Sequence, residues 1–138
     1  MGKNLTMLVM DAPYESANST TALRIVQSAL HKGHNVHVFA YEGAVTLTLK
    51  SQQPHANPAK GTTAEQEQHP TTKDWIKALF EMSKGNGAKL EWTNCGLCVD
   101  ERGPAEWIDG PKRGGPPEFA RSVIASDTTL VVPTKRNC

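Results

Sequence analysis

Apolar positions fall along this chain in short blocks that alternate between two periods. Leu5-Thr6-Met7-Leu8-Val9-Met10, closed by Asp11-Ala12-Pro13, has the pattern of a strand buried on both faces and stopped by turn residues. Ala22, Ile25, Val26, Ala29 and Leu30 then recur at helical spacing. They predict a helix over residues 19–32, with Asn18 or Ser19 as its N-cap and Gly33 just past its end. Val36-His37-Val38-Phe39-Ala40-Tyr41 is β-branched and aromatic, so the opening of the chain reads as strand, helix, strand. That unit normally forms a right-handed parallel crossover, which makes the fold class α/β.

A short helix is expected over Ala44 to Leu49. Residues 51–71 carry almost no apolar side chain and read as a solvated, mobile loop, longer than the usual connection. Trp75, Ile76, Leu79, Phe80 and Ser83 mark one face of a second helix, entered through Thr71-Thr72-Lys73-Asp74 and ended by Gly85 to Gly87. Lys89 to Asn94 alternates as a strand. A Gly/Pro-rich loop from Gly103 to Pro117, a helix carrying Phe119, Ala120, Val123 and Ile124, and a last strand Thr129 to Val132 complete one domain over residues 1–138. Trp75, Phe80 and Phe119 have core spacing; Trp92 and Trp107 are left unassigned by the pattern.

Fifteen Lys and Arg against fourteen Asp and Glu give a net charge of +1, too little field to hold a polyanion without base-specific contacts. No apolar run approaches the ~20 residues that a membrane span needs. Neither a nucleic acid nor a membrane is an expected partner. Three cysteines, Cys95, Cys98 and Cys138, are too few and too unevenly placed for a disulfide framework, and with no leader-like start they point to a reducing, cytoplasmic setting. A sheet of four or five strands leaves its edge and the helix face around Trp75 and Phe80 thinly covered, so a homo-oligomer is expected.

Chemistry concentrates at one place. In open α/β sheets the working crevice lies at the carboxyl ends of the strands, and Cys95 follows a predicted strand there, as Asp11 and Glu42 follow the first two. A helical turn from Cys98 to Arg102 would favour the Cys95 thiolate, with Arg102 as the nearby cation. Cys95-Gly96-Leu97-Cys98 also has the spacing of a redox pair, but a thioredoxin fold places that motif after an early strand with most of the sheet following it. Zinc would need further ligands from Cys138, His55 or His69, and neither a metal nor another cofactor is expected. His31, His34 and His37 straddle a turn and a strand and read as solvated or satisfied. Lys112-Arg113-Gly114-Gly115 reads either as an anion nest or as an exposed loop.

Taken together, Asp11-Ala12-Pro13-Tyr14, Lys32-Gly33-His34, Val38-Phe39-Ala40-Tyr41-Glu42-Gly43, Cys95-Gly96-Leu97-Cys98 and Arg102-Gly103, in this order and spacing, resemble the DsrE/TusD-like sulfur relay proteins. The resemblance spans nearly the whole chain outside residues 51–71 and the tail after Val132. It implies a three-layer α/β sandwich with a mostly parallel sheet, assembled into oligomers. It also implies a cysteine that accepts sulfane sulfur as a persulfide and hands it on to a TusA-like or other sulfur-carrier protein. Cys95 matches that sulfur-bearing position by its spacing to Gly103, and Cys98 matches the second cysteine of many stand-alone members. The expected function is a sulfurtransferase-like carrier with Cys95 as nucleophile, Arg102 as thiolate stabiliser and Cys98 as an auxiliary thiol. A dithiol redox protein using the Cys95/Cys98 pair and a non-catalytic assembly domain remain open.

Overall fold

Five strands, β1 (Asn4–Val9), β2 (Asn35–Ala40), β3 (Leu90–Cys95), β4 (Lys112–Gly114) and β5 (Thr128–Val132), form one sheet in the order β4-β3-β2-β1-β5. Every pairing is parallel. The computed structural model describes residues 2–68, 70–103 and 105–134; Cys138 and His69 lie outside them. Parallel neighbours require crossover connections, and helices provide them: α1 (Asn18–His31), α2 (Ala64–Glu67), α3 (Thr72–Asn86), α4 (Gly96–Arg102), α5 (Pro116–Ala125) and a 3-10 helix at Glu42–Thr48.

Alternation along the strands sorts side chains into two layers. Met7, Val9, Val36, Val38, Ala40, Leu90 and Trp92 pack beneath α1 and α3 with Leu23, Val26, Leu30, Ile76 and Leu79 as the main core. The intervening positions turn to the other face, where Phe39 and Cys95 form a smaller cluster with Val45, Cys98 and Val99, flanked by Leu8 and Phe119. This is the expected three-layer sandwich. The face under α5 becomes polar towards the amino ends of the strands. There His37 bonds Ser122 through Nδ1 and Thr93 Oγ1 through Nε2 at 2.8 Å, and Thr6 Oγ1 donates to the Ser122 carbonyl at 3.2 Å. Clefts of about 370 and 420 Å³ run beside this network. No residue of α5 is buried, and Ile124 and Val131 are 85% and 51% exposed.

The structure corrects several sequence expectations. Ala17, not Asn18 or Ser19, is the N-cap of α1. The Asn18 amide donates instead to the Pro133 carbonyl at 2.9 Å, and Ser19 Oγ to the Asp11 carbonyl at 3.1 Å, so both side chains tie the helix to strand ends. The 3-10 helix begins at Glu42 rather than Ala44, and β3 runs one residue further, through Cys95. Residues 112–114 are not loop or nest but β4, whose register opposite Thr93, Asn94 and Cys95 depends on a tertiary partner that no local pattern reveals. Trp75 and Phe80 pack against the main core, so the thinly covered face is that of α5 and β5. Within residues 51–71 lies α2, started by a capping box between Thr63 and Gln66. Gly33 sits past α1 at φ 81°, the left-handed geometry that favours glycine at this position.

Burial holds the His37 imidazole below its ordinary value of 6.5, against an upward pull from Glu91. The unfolded chain therefore binds this proton first, and stability should fall as the pH drops below 6.5 towards the lowered folded-state value. Urea midpoints measured from about pH 7 to about pH 5 should show that decline. His37→Gln should flatten it, and an unchanged slope in the variant would assign the acid sensitivity elsewhere.

Candidate functional site

The last residue of β3 is also the N-cap of α4, so strand passes into helix at Cys95 with no residue between them. Two polar ties fix this corner. Asn94, fully buried, accepts from Trp92 Nε1 at 3.1 Å and donates to Thr48 Oγ1 at 3.0 Å, binding the end of β3 to the 3-10 helix. Glu42 lies at φ 53°, and from that left-handed geometry its backbone N–H donates to Cys98 Sγ at 3.2 Å. Backbone strain of this sort in a glutamate persists only where the surroundings hold it. Here the Arg102 guanidinium grips the Glu42 carboxylate at 3.0 Å and reaches the Cys98 carbonyl at 3.4 Å.

Cys95 and Cys98 are both free thiols, 2% and 4% exposed. They share a hydrogen bond. Burial, and next the bond to Cys95, push the Cys98 thiol up to about 11, only partly offset by the Glu42 N–H. Cys98 therefore keeps its proton and donates it to the Cys95 sulfur. Around the pair stand Phe39, Val45 and Val99, with Leu8, Tyr41, Trp107 and Phe119 packed against them. The Tyr41 phenol is pushed up, chiefly by the charge on Glu42 and then by Cys98, and its ring stacks on Phe39. Outside this shell a cleft of about 300 Å³ is lined by Val45, Leu49, Val99, Arg102 and Trp107. A second, of about 430 Å³, reaches Arg102 from the side of Met10, Glu15 and Glu42.

Of the residues singled out in the sequence, Cys95 and Cys98 come together, while Arg102 stands at the far end of α4 and engages Cys98 and Glu42. The sequence places Glu42 at the strand ends but does not disclose its role, and it leaves the position of Arg113 open. Glu42 acts through its backbone, which no residue pattern discloses. Arg113 stands across from the start of α4, its guanidinium paired with Asp100 at 2.6 Å; the signal was there in Lys112-Arg113-Gly114-Gly115, but its placement depended on the pairing of β4. Trp107, unassigned by pattern, belongs to the shell of the thiols, and Trp92 to the main core. Among the described residues no group of three or more His, Cys, Asp or Glu could hold a metal ion.

Two measurements follow from this geometry. Asn94→Ala strands the Trp92 indole N–H and the Thr48 hydroxyl, and chemical denaturation should show a loss of about 1–3 kcal/mol for each stranded partner. Alkylation of Cys98 should rise only as the pH nears 11, and Cys95→Ser should bring that rise to lower pH by removing the neighbouring sulfur. A Cys98 that alkylates identically in both proteins would mean the thiols are not coupled.

The profile of the DsrE/DsrF-like family matches residues 3–132. An uncharacterized protein of Methanopyrus kandleri is 27% identical over 128 residues, 91% of each chain. The crystal structure of the YchN protein from E. coli superposes with a TM-score of 0.71 at 21% identity, covering 95% of this chain and 99% of that one. Its likeness bears on the fold, which it shares. With the profile covering nearly the whole chain, the protein belongs to the DsrE/DsrF-like family, a family generally connected with sulfur relay.

Proposed function

We propose that the protein is a sulfur carrier or sulfurtransferase subunit that accepts sulfane sulfur on Cys95 as a persulfide and passes it to a partner. The observation that carries this reading is the place of Cys95, which ends β3 and caps α4 at the carboxyl end of the sheet with Cys98 packed in the same cluster. Cys98 holds its proton up to about 11 and donates it to Cys95, which leaves Cys95 as the sulfur able to attack. In the loading step the Cys95 thiolate attacks the outer sulfur of a persulfide or thiosulfate donor. A new S–S bond forms at Cys95, the donor's S–S bond breaks, and its electron pair leaves on the donor thiolate or sulfite. In the unloading step an acceptor thiolate attacks the outer sulfur and Cys95 departs as the thiolate. No net oxidation occurs, so no redox cofactor is required.

Arg102 serves this site indirectly in the proposal, by holding Glu42 so that its N–H stays on Cys98. The two clefts that meet at Arg102 offer the approach for a donor or a sulfur-carrier protein of the TusA-like kind. Association into a homo-oligomer fits the exposed apolar side chains Ile124 and Val131 on the lightly covered face, and a cytoplasmic setting fits three cysteines too few and too unevenly placed for a disulfide framework. Among the described residues no helix is long and apolar enough to cross a membrane.

The proximity of Cys98 also favours a second reading, in which the pair cycles through a disulfide. Intact-protein mass after exposure to thiosulfate or polysulfide separates the two. For relay, the wild type and Cys98→Ser gain one sulfur atom and Cys95→Ser gains none. For a dithiol oxidoreductase, disulfide reductase activity is present in the wild type and lost in either variant. Sulfur loading that survives Cys95→Ser and vanishes in Cys98→Ser would reverse the assignment of the two thiols.

A further inference from the structure

The side chain of Arg113 is fixed at both ends. Its Nη1 and Nη2 donate to the two carboxylate oxygens of Asp100 at 3.0 and 2.6 Å, the fork geometry in which guanidinium binds carboxylate best. Its backbone is held opposite Asn94 in the pairing of β4 with β3, with Gly114 opposite Cys95. Between these points the guanidinium passes over the first residue of α4. A methyl group built on Gly96 would lie 2.7 Å from Arg113 Nε and 2.8 Å from Cζ, so the cation occupies the notch that glycine leaves. Residue 96 has no need of glycine's backbone freedom, since it is an ordinary helical position; what it supplies is room.

Three of the other charges around the thiols, on Glu42, Glu118 and Asp100, are already matched. Glu42 is paired with Arg102 at 3.0 Å. Glu118, on α5, accepts from the Gly115 N–H at 2.7 Å and stands 3.9 Å from Arg121. Asp100 is taken by Arg113 itself, and Tyr41 and Glu101 complete the titratable groups of the β2 end and of α4. Asp100 pushes the Arg113 guanidinium up through its hydrogen bonds, and a charge on Cys95 adds to this more weakly. Interactions of this kind act both ways.

We propose that Arg113 is a positioning residue of the Cys95 site: seated in the notch above Gly96 and clamped by Asp100, it holds a positive charge at the strand-to-helix corner and sets the pH at which Cys95 becomes reactive. This rests on Cys95 being the reacting sulfur. It gives the role of nearby cation to Arg113, leaving Arg102 to the Glu42 and Cys98 side of the corner. Gly96 and Asp100 become parts of one device, since either a methyl group at 96 or the loss of the carboxylate would unseat the guanidinium.

The test is the pH profile of Cys95 alkylation by iodoacetamide, with the modified sulfur located by fragment mass spectrometry. A change in how often the buried sulfur opens scales the whole profile, whereas loss of the cation moves its midpoint. Arg113→Gln should move the midpoint upward and slow the reaction near neutral pH by about three- to tenfold, and Arg113→Lys, which keeps the charge, should recover most of the shift. Gly96→Ala should move it in the same direction although alanine is the better helix former, and the double variant should shift no further than Arg113→Gln alone. A wild-type midpoint in Arg113→Gln, or shifts that add in the double variant, would overturn the proposal. If Arg113→Gln does not fold, Gly96→Ala still decides, because an unmoved midpoint there refutes the notch. Sulfur loading from polysulfide, measured on the same samples, keeps the two ideas apart. A midpoint that moves in a protein that never loads sulfur removes the relay reading and leaves Arg113 in place; loading on Cys95 with an unmoved midpoint does the reverse.

Discussion

A single constraint organises this molecule: β3 turns into α4 without a loop, so the residue at the corner must satisfy both elements at once. Cys95 ends a strand inside a parallel sheet, between β2 and the edge strand β4, and caps a helix in the same step. A corner this tight has no slack of its own, and its geometry is borrowed from neighbours on three sides. Asn94 ties it to the 3-10 helix through buried hydrogen bonds, Glu42 gives up a favourable backbone conformation to place an N–H on Cys98, and β4 pairs along the outer side of the strand. Buried networks of this type stabilise only when every member is satisfied, and among the described residues no buried side-chain nitrogen or oxygen lacks a partner.

The sheet is covered unequally. Under α1 and α3 lies a continuous apolar core, and the interlocking of Met7, Leu23, Leu30, Ile76 and Trp92, all nearly or fully inaccessible, supplies most of the stability. Under α5 the apolar cluster is small and sits only at the carboxyl end, around the thiols. The rest of that face is polar. The thiols thus lie in the smaller apolar cluster, on the opposite face of the sheet from the main core.

The chain disclosed what depends on local periodicity and withheld what depends on pairing. Alternating and helical spacing located β1, α1, β2, α3, α5 and β5, because each buries a face whose period is written in consecutive residues. β4 was invisible: three residues, Lys112, Arg113 and Gly114, with no apolar side chain, are a strand only because β3 offers an open edge. The thiols were legible from their position after a strand and from their mutual spacing. Their electrostatics were not, since the N–H at Cys98 comes from a residue more than fifty positions earlier, and the guanidinium beside Gly96 comes from a strand that could not be foreseen. Arg102 lies close to Cys95 in sequence, and α4 carries it to the far end of the helix, where its guanidinium meets Glu42.

The near-complete burial of both sulfurs has a bearing on time. An exposed cysteine meets every small thiol and oxidant in its surroundings at a rate set by their concentrations. A cysteine behind Phe39, Tyr41, Trp107 and Phe119 meets them only during the moments when that shell is open. Whatever group such a sulfur carries is then retained for an interval fixed by the protein's own breathing. If Cys95 carries sulfur as proposed, a macromolecule that prises the shell apart would act as a key, shortening that interval for itself alone, and selectivity between recipients would reside in a rate of opening rather than in the chemistry of the sulfur.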